Sequence, residues 1–364
     1  MGIQTKTLSV RVKDKHAKVL REMAYEVNQV FNLANELTMK ANGRTSDYGP
    51  VKPVWLSAYD VQKPVLVFRK EQKYLIPSHT AQEVCAKHHQ ARNQFKKAKL
   101  RWRISSGSKR SLGWIPFKKG SAKWSNGQVR FARKSFNVWD SYGLSKYQFL
   151  AGSFSEDSRG RWYFNVAVQT ESKPVTEGKT AIGIDLGLKD VATCSNGDQL
   201  ESKQFYRELE ERLGTAQRAN KKQRVKAIHA KIKNRRKDQI HKFTTRLVNN
   251  HAAIFVGDVS STKLAKTKMA KSVLDAGWGI LKDQLKYKAM AQSVVFEVVN
   301  ESHSTQTCSS CGTIPSSSPK GRTGLRIREW TCSECGAEHL RDLNAAKNIL
   351  AAGHSRLAGG IPLL

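Results

Sequence analysis

Gly183-Ile184-Asp185-Leu186-Gly187 sets one carboxylate inside an otherwise apolar strand that runs from Ala181 to Leu186. With the two-residue period of a strand, Gly183, Asp185 and Gly187 share one face, and two absent side chains leave space around the acid. A buried acid without a partner is costly, so Asp185 needs a cation, a hydrogen-bond set or water. The plainer alternative is a polar residue at a β-bulge.

Beyond it, Val191–Cys194 reads as a second strand, and Asn196-Gly197 turns into a third near Gln199–Phe205. A long helix from Arg207 to about Asn250 follows, then a strand at Ala253–Asp258 and a helix around Leu274–Gln292. A strand at Ser293–Val299 and a helix at Leu343–Leu350 complete the half. Three meandering strands followed by helix–strand–helix–strand–helix is the order of a ribonuclease H-like sheet, although other α/β folds share parts of it.

Upstream, a polar, Pro-containing linker at Glu171–Thr180 marks the main boundary. Before it, Gln4–Val12 alternates like a strand, His16 to about Ala41 repeats apolar residues at helical spacing, and a second helix is expected from Ser78 to about Arg103. Strand-like alternation returns from Tyr147 to Gln169, with Arg159-Gly160 as the turn and Trp162, Phe164 and Val166 on one face.

The 364 residues carry 63 Lys+Arg against 30 Asp+Glu, a formal net charge of +33. Such a charge repels itself unless a polyanion is near, so nucleic acid is the expected partner. No apolar stretch approaches the roughly 20 residues that span a bilayer, and Met1–Val12 lacks an apolar run, so no signal peptide, no membrane and a cytoplasmic place are expected. From Val84 to Trp139 there is no acid at all. Lys87 to Lys134 holds fifteen Lys or Arg interleaved with Phe95, Trp102, Trp114, Phe117, Trp124 and Phe131. Basic groups meet phosphates and flat rings stack on unpaired bases, or the rings form a local core. A second basic run, Arg218 to Arg246, has twelve basic residues and one acid, Asp238.

Four of six cysteines form Cys308-Ser-Ser-Cys311 and Cys332-Ser-Glu-Cys335, twenty residues apart. Two knuckles of this kind complete a thiolate tetrahedron around Zn²⁺, and Gly312 and Gly336 follow each pair where a positive φ is needed. Four thiolates leave no open position, so this metal holds structure. The intervening loop Thr313–Thr331 carries Lys320, Arg322, Arg326 and Arg328 and is expected to be a mobile element over a substrate. Cys85 and Cys194 read as core thiols. In Arg341-Asp342-Leu343-Asn344-Ala345-Ala346, Asp342, Ala345, Ala346 and Ile349 fall on one stripe, so the last helix can lie close to the sheet, with Asp342 as a site acid or as an N-cap.

Gly-Ile-Asp-Leu-Gly-Leu-Lys-Asp (183–190), Thr305-Gln-Thr-Cys-Ser-Ser-Cys-Gly312 and Arg341-Asp-Leu-Asn-Ala-Ala-Lys-Asn-Ile349 together resemble the TnpB family. That family comprises insertion-sequence-encoded, RNA-guided nucleases related to type V CRISPR effectors. Gly113-Trp-Ile-Pro-Phe-Lys118 resembles a further short pattern of it. The resemblance implies an α+β and α/β multidomain chain. Residues 1–14 and 135–172 would form a β-barrel-like wedge and 15–134 a helical recognition insertion. Residues 173–302 and 337–364 would form a RuvC-like, ribonuclease H-like nuclease, with 303–336 an inserted zinc ribbon. It further implies a guide RNA, a double-stranded DNA target with a short adjacent motif, and a monomer with its RNA. Catalytic Mg²⁺, with Mn²⁺ as its substitute, would be held by Asp185, Asp342 and a second acid.

The second acid is where this sequence departs. Ile254-Phe-Val-Gly257-Asp258 has Gly257 where the family usually has Glu. Asp258 could substitute, though one residue of offset turns it to the other face. The nuclease could be dead, leaving a guided DNA-binding repressor. Or the acid has moved to the next strand, where Glu297 and Glu301 share a face, with Glu301, nearer the strand end, the first choice and Glu297 the second. Retention of both Asp185 and Asp342 favours the move.

Overall fold

The alternation at the start of the chain forms strand β1 (Ile3–Arg11), with Leu8 and Val10 buried. The computed structural model describes residues 3–358 apart from 44, 47–48, 51–53, 172–179 and 325, so the expected linker lies outside the described residues. Two units are distinguished, Ile3–Glu171 and Ser172–Leu364.

In the first unit, α1 (Ala17–Asn42) turns Leu20, Met23, Val27, Val30 and Ala34 inward at steps of three and four. A two-residue pair, β2 (Thr45–Ser46) and β3 (Gly49–Pro50), follows. Helix α2 (Ala58–Glu71) was not expected, because Pro64 lies inside it. A capping box between Ser57 and Asp60 starts it, and buried Val61 and Val65 offset the hydrogen bond that Pro64 removes. Helix α3 (Ser78–Phe95) starts as expected but ends at Lys96, whose φ is 49°, well short of Arg103. Beyond it the backbone is claimed by α1: Asn35 Oδ1 accepts from Leu100 N at 2.8 Å, and Asn32 Oδ1 from Arg103 N at 2.9 Å. Side chains on a neighbouring helix thus replace the bonds a longer α3 would have made.

Strands β4 (Trp114–Phe117), β5 (Lys123–Ser125), β6 (Gln128–Phe131), β7 (Lys134–Phe136), β8 (Phe149–Glu156) and β9 (Trp162–Glu171) complete this unit. They form an antiparallel sheet β1-β9-β8-β4 and a three-stranded sheet β5-β6-β7. Gly160, at φ 83°, makes the β8–β9 turn, and Trp162, Phe164, Val166 and Val168 face inward. One buried cluster runs through the strands and α1–α3, and the stretch expected to be helical as far as residue 134 carries the short strands β4, β5 and β6 from Trp114 onward and no helix. The aromatics of the acid-free block divide: Phe117 and Phe131 are core, while Phe95 and Trp102 are 61% and 37% exposed.

In the second unit, β10 (Thr180–Asp185), β11 (Asp190–Cys194) and β12 (Gln199–Glu201) are the expected meander. The expected single long helix is two, α4 (Phe205–Arg218) and α5 (Lys222–Asn250), broken where Asn220 has φ 50°. The break brings Glu208 of α4 to 2.7 Å from Arg235 of α5, so the two helices can share a core around Leu209 and Ile232. Next come β13 (His251–Gly257), α6 (Ser261–Leu264), α7 (Ala270–Ala276) and α8 (Trp278–Ala291), the last two split by Gly277 at φ 71°. Strand β14 (Val295–Val299), α9 (Gly321–Gly324), β15 (Glu329–Thr331), β16 (Glu338–Leu340) and α10 (Arg341–Ala358) finish it. The sheet order is β12-β11-β10-β13-β14, with β10, β13 and β14 mutually parallel and β11 antiparallel to both of its neighbours, β10 and β12.

Parity sorts this sheet. Ile182, Ile184 and Leu186 bury against α5 and α8, while Gly183 faces α10, where an added Cβ would collide with Ala346 O and lie 2.5 Å from Leu350 N. The space expected beside Asp185 at Gly183 is therefore filled by the helix backbone. Among the described residues no helix is long and apolar enough to cross a membrane.

Glu156 ties the irregular stretch before β4 to the first unit's sheet. Its buried carboxylate accepts from Arg110 at 2.7 and 2.9 Å and from Gly113 N at 3.0 Å. Burial pushes this acid upward, but these hydrogen bonds outweigh it and hold it below the usual carboxylate range. Its contribution is therefore present at neutral pH and lost as pH falls through the folded-state value. Glu156→Gln is expected to cost roughly 2 kcal/mol, less than a fully buried pair because Arg110 is partly solvated. An unchanged urea midpoint for the transition of this unit would contradict the role.

Candidate active site and metal centre

Asp185 stands at the end of β10 and lines a cleft of about 620 Å³. Asp185, Glu301 and Asp342 line it together with Lys189, Arg328 and Arg341. Trp278 fixes the turn beyond Asp185, its Nε1–H lying 3.2 Å from both Gly187 O and Val191 O. Burial, then the charges of Asp342 and Glu301, push the Asp185 carboxyl up to about 7.

Glu301 follows β14. Phe255 pairs with Glu297 and Gly257 with Val299, so the register carries Glu301 past the end of β13 on the face of Gly257. A Cβ on Gly257 would collide with Glu301 Oε2 and lie 3.2 Å from its Cδ: the Glu301 carboxylate fills the space over the glycine. Its Oε2 is buried with no hydrogen-bond partner. Burial first, then Asp258, raise this acid, while Lys282 and the Val259 N–H oppose the shift.

Asp342 is in the first turn of α10 and is not an N-cap. Its Oδ2 lies 3.1 Å from Arg328 Nη1, and its Oδ1 lies 2.9 Å from Arg341 Nε and 2.7 Å from Arg341 Nη2. Glu297 is not brought to the cleft: it lies level with Phe255 and pairs with Arg356 at 3.7 Å. Asp258 accepts from the Glu301 backbone N–H at 3.3 Å and is likewise absent from the cleft lining among the described residues. An orphaned buried carboxylate oxygen in a cleft shared with an acid driven toward neutrality is the oxygen chemistry that hard divalent cations take, although among the described residues only the four cysteines lie close enough together to share one ion as they stand.

The four cysteines converge. Their Sγ atoms all lie within 4.8 Å of one another, with Cys308–Cys335 at 3.6 Å and Cys311–Cys332 at 3.8 Å. A zinc–sulfur bond of about 2.3 Å demands tetrahedral edges of about 3.8 Å, so this set can bind zinc. Gly312 and Gly336, at φ 78° and 71°, let their N–H groups close onto Cys308 O and Cys332 O at 2.8 and 2.9 Å. Hydrogen bonds from the Thr313 side chain and backbone bring the Cys311 thiol down to about 6. His339 Nε2 lies 3.0 Å from Cys308 Sγ, a neighbour that the sequence reading did not single out. In the loop between the pairs, Pro319, Gly321, Gly324 and Arg328 line the same cleft as the acids.

Two family models match the chain: "Probable transposase" over residues 163–268 and "Cas12f1-like, TNB domain" over residues 278–349. A Streptomyces pristinaespiralis protein named "Putative RNA-guided DNA endonuclease" is 32% identical over 269 residues, 69% of this chain and 65% of that relative. "TnpB-like protein L79" of Acanthamoeba polyphaga mimivirus is 29% identical over 236 residues, 55% of this chain and 42% of its own. The chain is a relative of TnpB. It spans about two thirds or less of the length of these two relatives. Among solved structures, Cas12f1 in a complex with single-guide RNA and target DNA matches with a TM-score of 0.58 at 13% identity, over 95% of this chain and 98% of that one. The fold of this TnpB relative is thus the mixed α+β, multidomain fold of that effector.

Metal analysis of the purified chain is expected to give one zinc per chain, and Cys332→Ser, which removes a buried ligand, to lower it to below about a tenth. Full zinc retention in that variant would contradict a four-thiolate site.

Proposed function

We propose that this chain is an RNA-guided DNA endonuclease of a transposon, with Glu301 in place of the acid missing at position 257. The observation that carries the reading is the Glu301 carboxylate lying over Gly257, with one oxygen buried and unpartnered. Asp185, Glu301 and Asp342 would hold divalent cations, Mg²⁺ or Mn²⁺, which when bound supply an activated water and stabilise the leaving 3′-oxygen of a phosphodiester. Lys282, donating to the carbonyls of Gly257 and Val259 at 3.2 and 3.1 Å, fixes the end of β13 under Glu301. Arg328 and Arg341 orient Asp342 toward the cleft and add positive charge where a phosphate would lie.

Guide RNA and duplex DNA with an adjacent motif are the proposed partners, and the single-guide RNA and target DNA named in the Cas12f1 neighbour's complex support an RNA and a DNA partner. The basic face of α5 and the exposed Phe95 and Trp102 of the acid-free block are surfaces for backbone and base contact. The four cysteines are proposed to hold zinc for structure, and Mg²⁺ to serve the acids.

Cleavage of a target plasmid by the protein–RNA complex with Mg²⁺ tests this. Asp185→Ala, Glu301→Gln and Asp342→Asn should each lower the rate by about 100-fold or more, and Glu297→Gln by less than about threefold. Gly257→Glu combined with Glu301→Ala should recover part of the loss. Wild-type rates from Glu301→Gln would overturn the assignment, and target binding without any cleavage by the wild type would favour a guided repressor. Because the free Asp185 carboxyl is raised to about 7, its neutral form gains below that pH, so cation affinity should weaken between pH 8 and pH 6. A flat pH profile for Mn²⁺ binding would contradict this.

A further inference from the structure

Asn344 and Asn348 are one helical turn apart on α10, on the same face, and both grip the segment that leads from Glu301 to the first zinc ligand. Asn348 Nδ2 donates to Ser304 O at 2.8 Å and Thr307 O at 2.7 Å, and Asn344 Nδ2 donates to the same two carbonyls at 3.2 and 2.7 Å. Asn344 Oδ1 accepts from Ser309 N, inside the Cys308–Cys311 knuckle, at 2.9 Å. The segment is closed at its other end as well, Ser304 N donating to Glu301 O at 3.0 Å. Asn344 is 1% exposed and uses both ends of its amide. Aspartate could accept from Ser309 but not donate, and an apolar residue could do neither.

One turn of α10 therefore carries Asp342 and, two residues on, the side chain that binds the zinc knuckle. The same side chain binds the turn that begins at Glu301. We propose that Asn344 and Asn348 are positioning residues that couple the thiolate site to the carboxylate site. Zinc on the four cysteines fixes the Ser309 amide, Asn344 passes that constraint to α10, and the separation of Glu301 and Asp342 follows. The zinc knuckle then does more than hold its own loop: it sets how well the acids accept a divalent cation. The proposal rests on the reading of Asp185, Glu301 and Asp342 as cation ligands.

The test is calorimetric Mn²⁺ binding to the full chain, with no cleavage involved, on zinc-loaded and zinc-stripped samples of the wild type, Asn344→Ala and Asn348→Ala, with Asp185→Ala as background. Stripping zinc from the wild type should weaken Mn²⁺ binding about tenfold. Asn344→Ala that keeps its zinc should be weakened about tenfold already, and stripping should add less than about twofold, the signature of one shared path. Asn348→Ala, which leaves the Asn344 contacts in place, should lose about threefold with full zinc content. Should Asn344→Ala lose zinc or fail to fold, Asn348→Ala decides: wild-type Mn²⁺ affinity in it overturns the coupling. Fully additive effects of zinc removal and Asn344→Ala overturn it as well. A zinc-loaded wild type that binds no Mn²⁺ above the Asp185→Ala background instead sinks the carboxylate reading itself.

Discussion

Everything in the second unit depends on how closely α10 lies against the sheet. Gly183 on β10 and Ala345 and Ala346 on α10 leave so little room that a single methyl at 183 would strike the helix backbone. On the same face, a Cβ on Gly353 would enter the ring of Phe255. Close packing of this sort tolerates few alternative placements, because an added methylene in a filled core costs about 1–3 kcal/mol. The consequence is chemical. Asp342, in the first turn of that helix, is brought near enough to Asp185 for its charge to raise the Asp185 carboxyl.

On the same face, the absence of a side chain at position 257 leaves no hole. Gly257 leaves room at the end of β13, and a long side chain from beyond the neighbouring strand, Glu301, fills it. Reach and absence compensate each other across two parallel strands in register. The arrangement keeps three carboxylates around one cleft within a chain whose net charge is +33. Burial makes these acids costly, and the raised values of Asp185 and Glu301 express that cost, whereas Asp342 is paired with Arg328 and Arg341.

Much of this was legible in the residues. Asp185 in an apolar strand, Asp342 above a stripe of alanines, the paired cysteines and the anomalous Gly257 all carry local signals: period, spacing and a residue type out of place. The strand parity that sends Ile184 one way and Asp185 the other follows from the sequence alone. What was not legible depended on distant partners. Helix α3 stops at Lys96 because asparagines on α1 claim the following backbone. The α4–α5 break at Asn220 and the interior Pro64 of α2 are decided by cores that local propensity does not see. Trp278, pinning the turn after Asp185, and His339, beside Cys308, come from elements far away in the chain. Asn344 and Asn348 stood in a quoted motif, yet their partners, Ser304, Thr307 and Ser309, could be known only from the fold.

Replacement of the acid absent at 257 by Glu301 as a cation ligand, the core of the proposed function, is open to direct measurement. Anomalous diffraction from crystals of the protein–RNA complex soaked in Mn²⁺ addresses it directly. A manganese peak is expected in the cleft with a Glu301 carboxylate oxygen at about 2.1–2.2 Å, alongside Asp185 or Asp342. A cation held in the cleft with Glu301 outside its coordination, or ligated instead by Asp258 or Glu297, would contradict it.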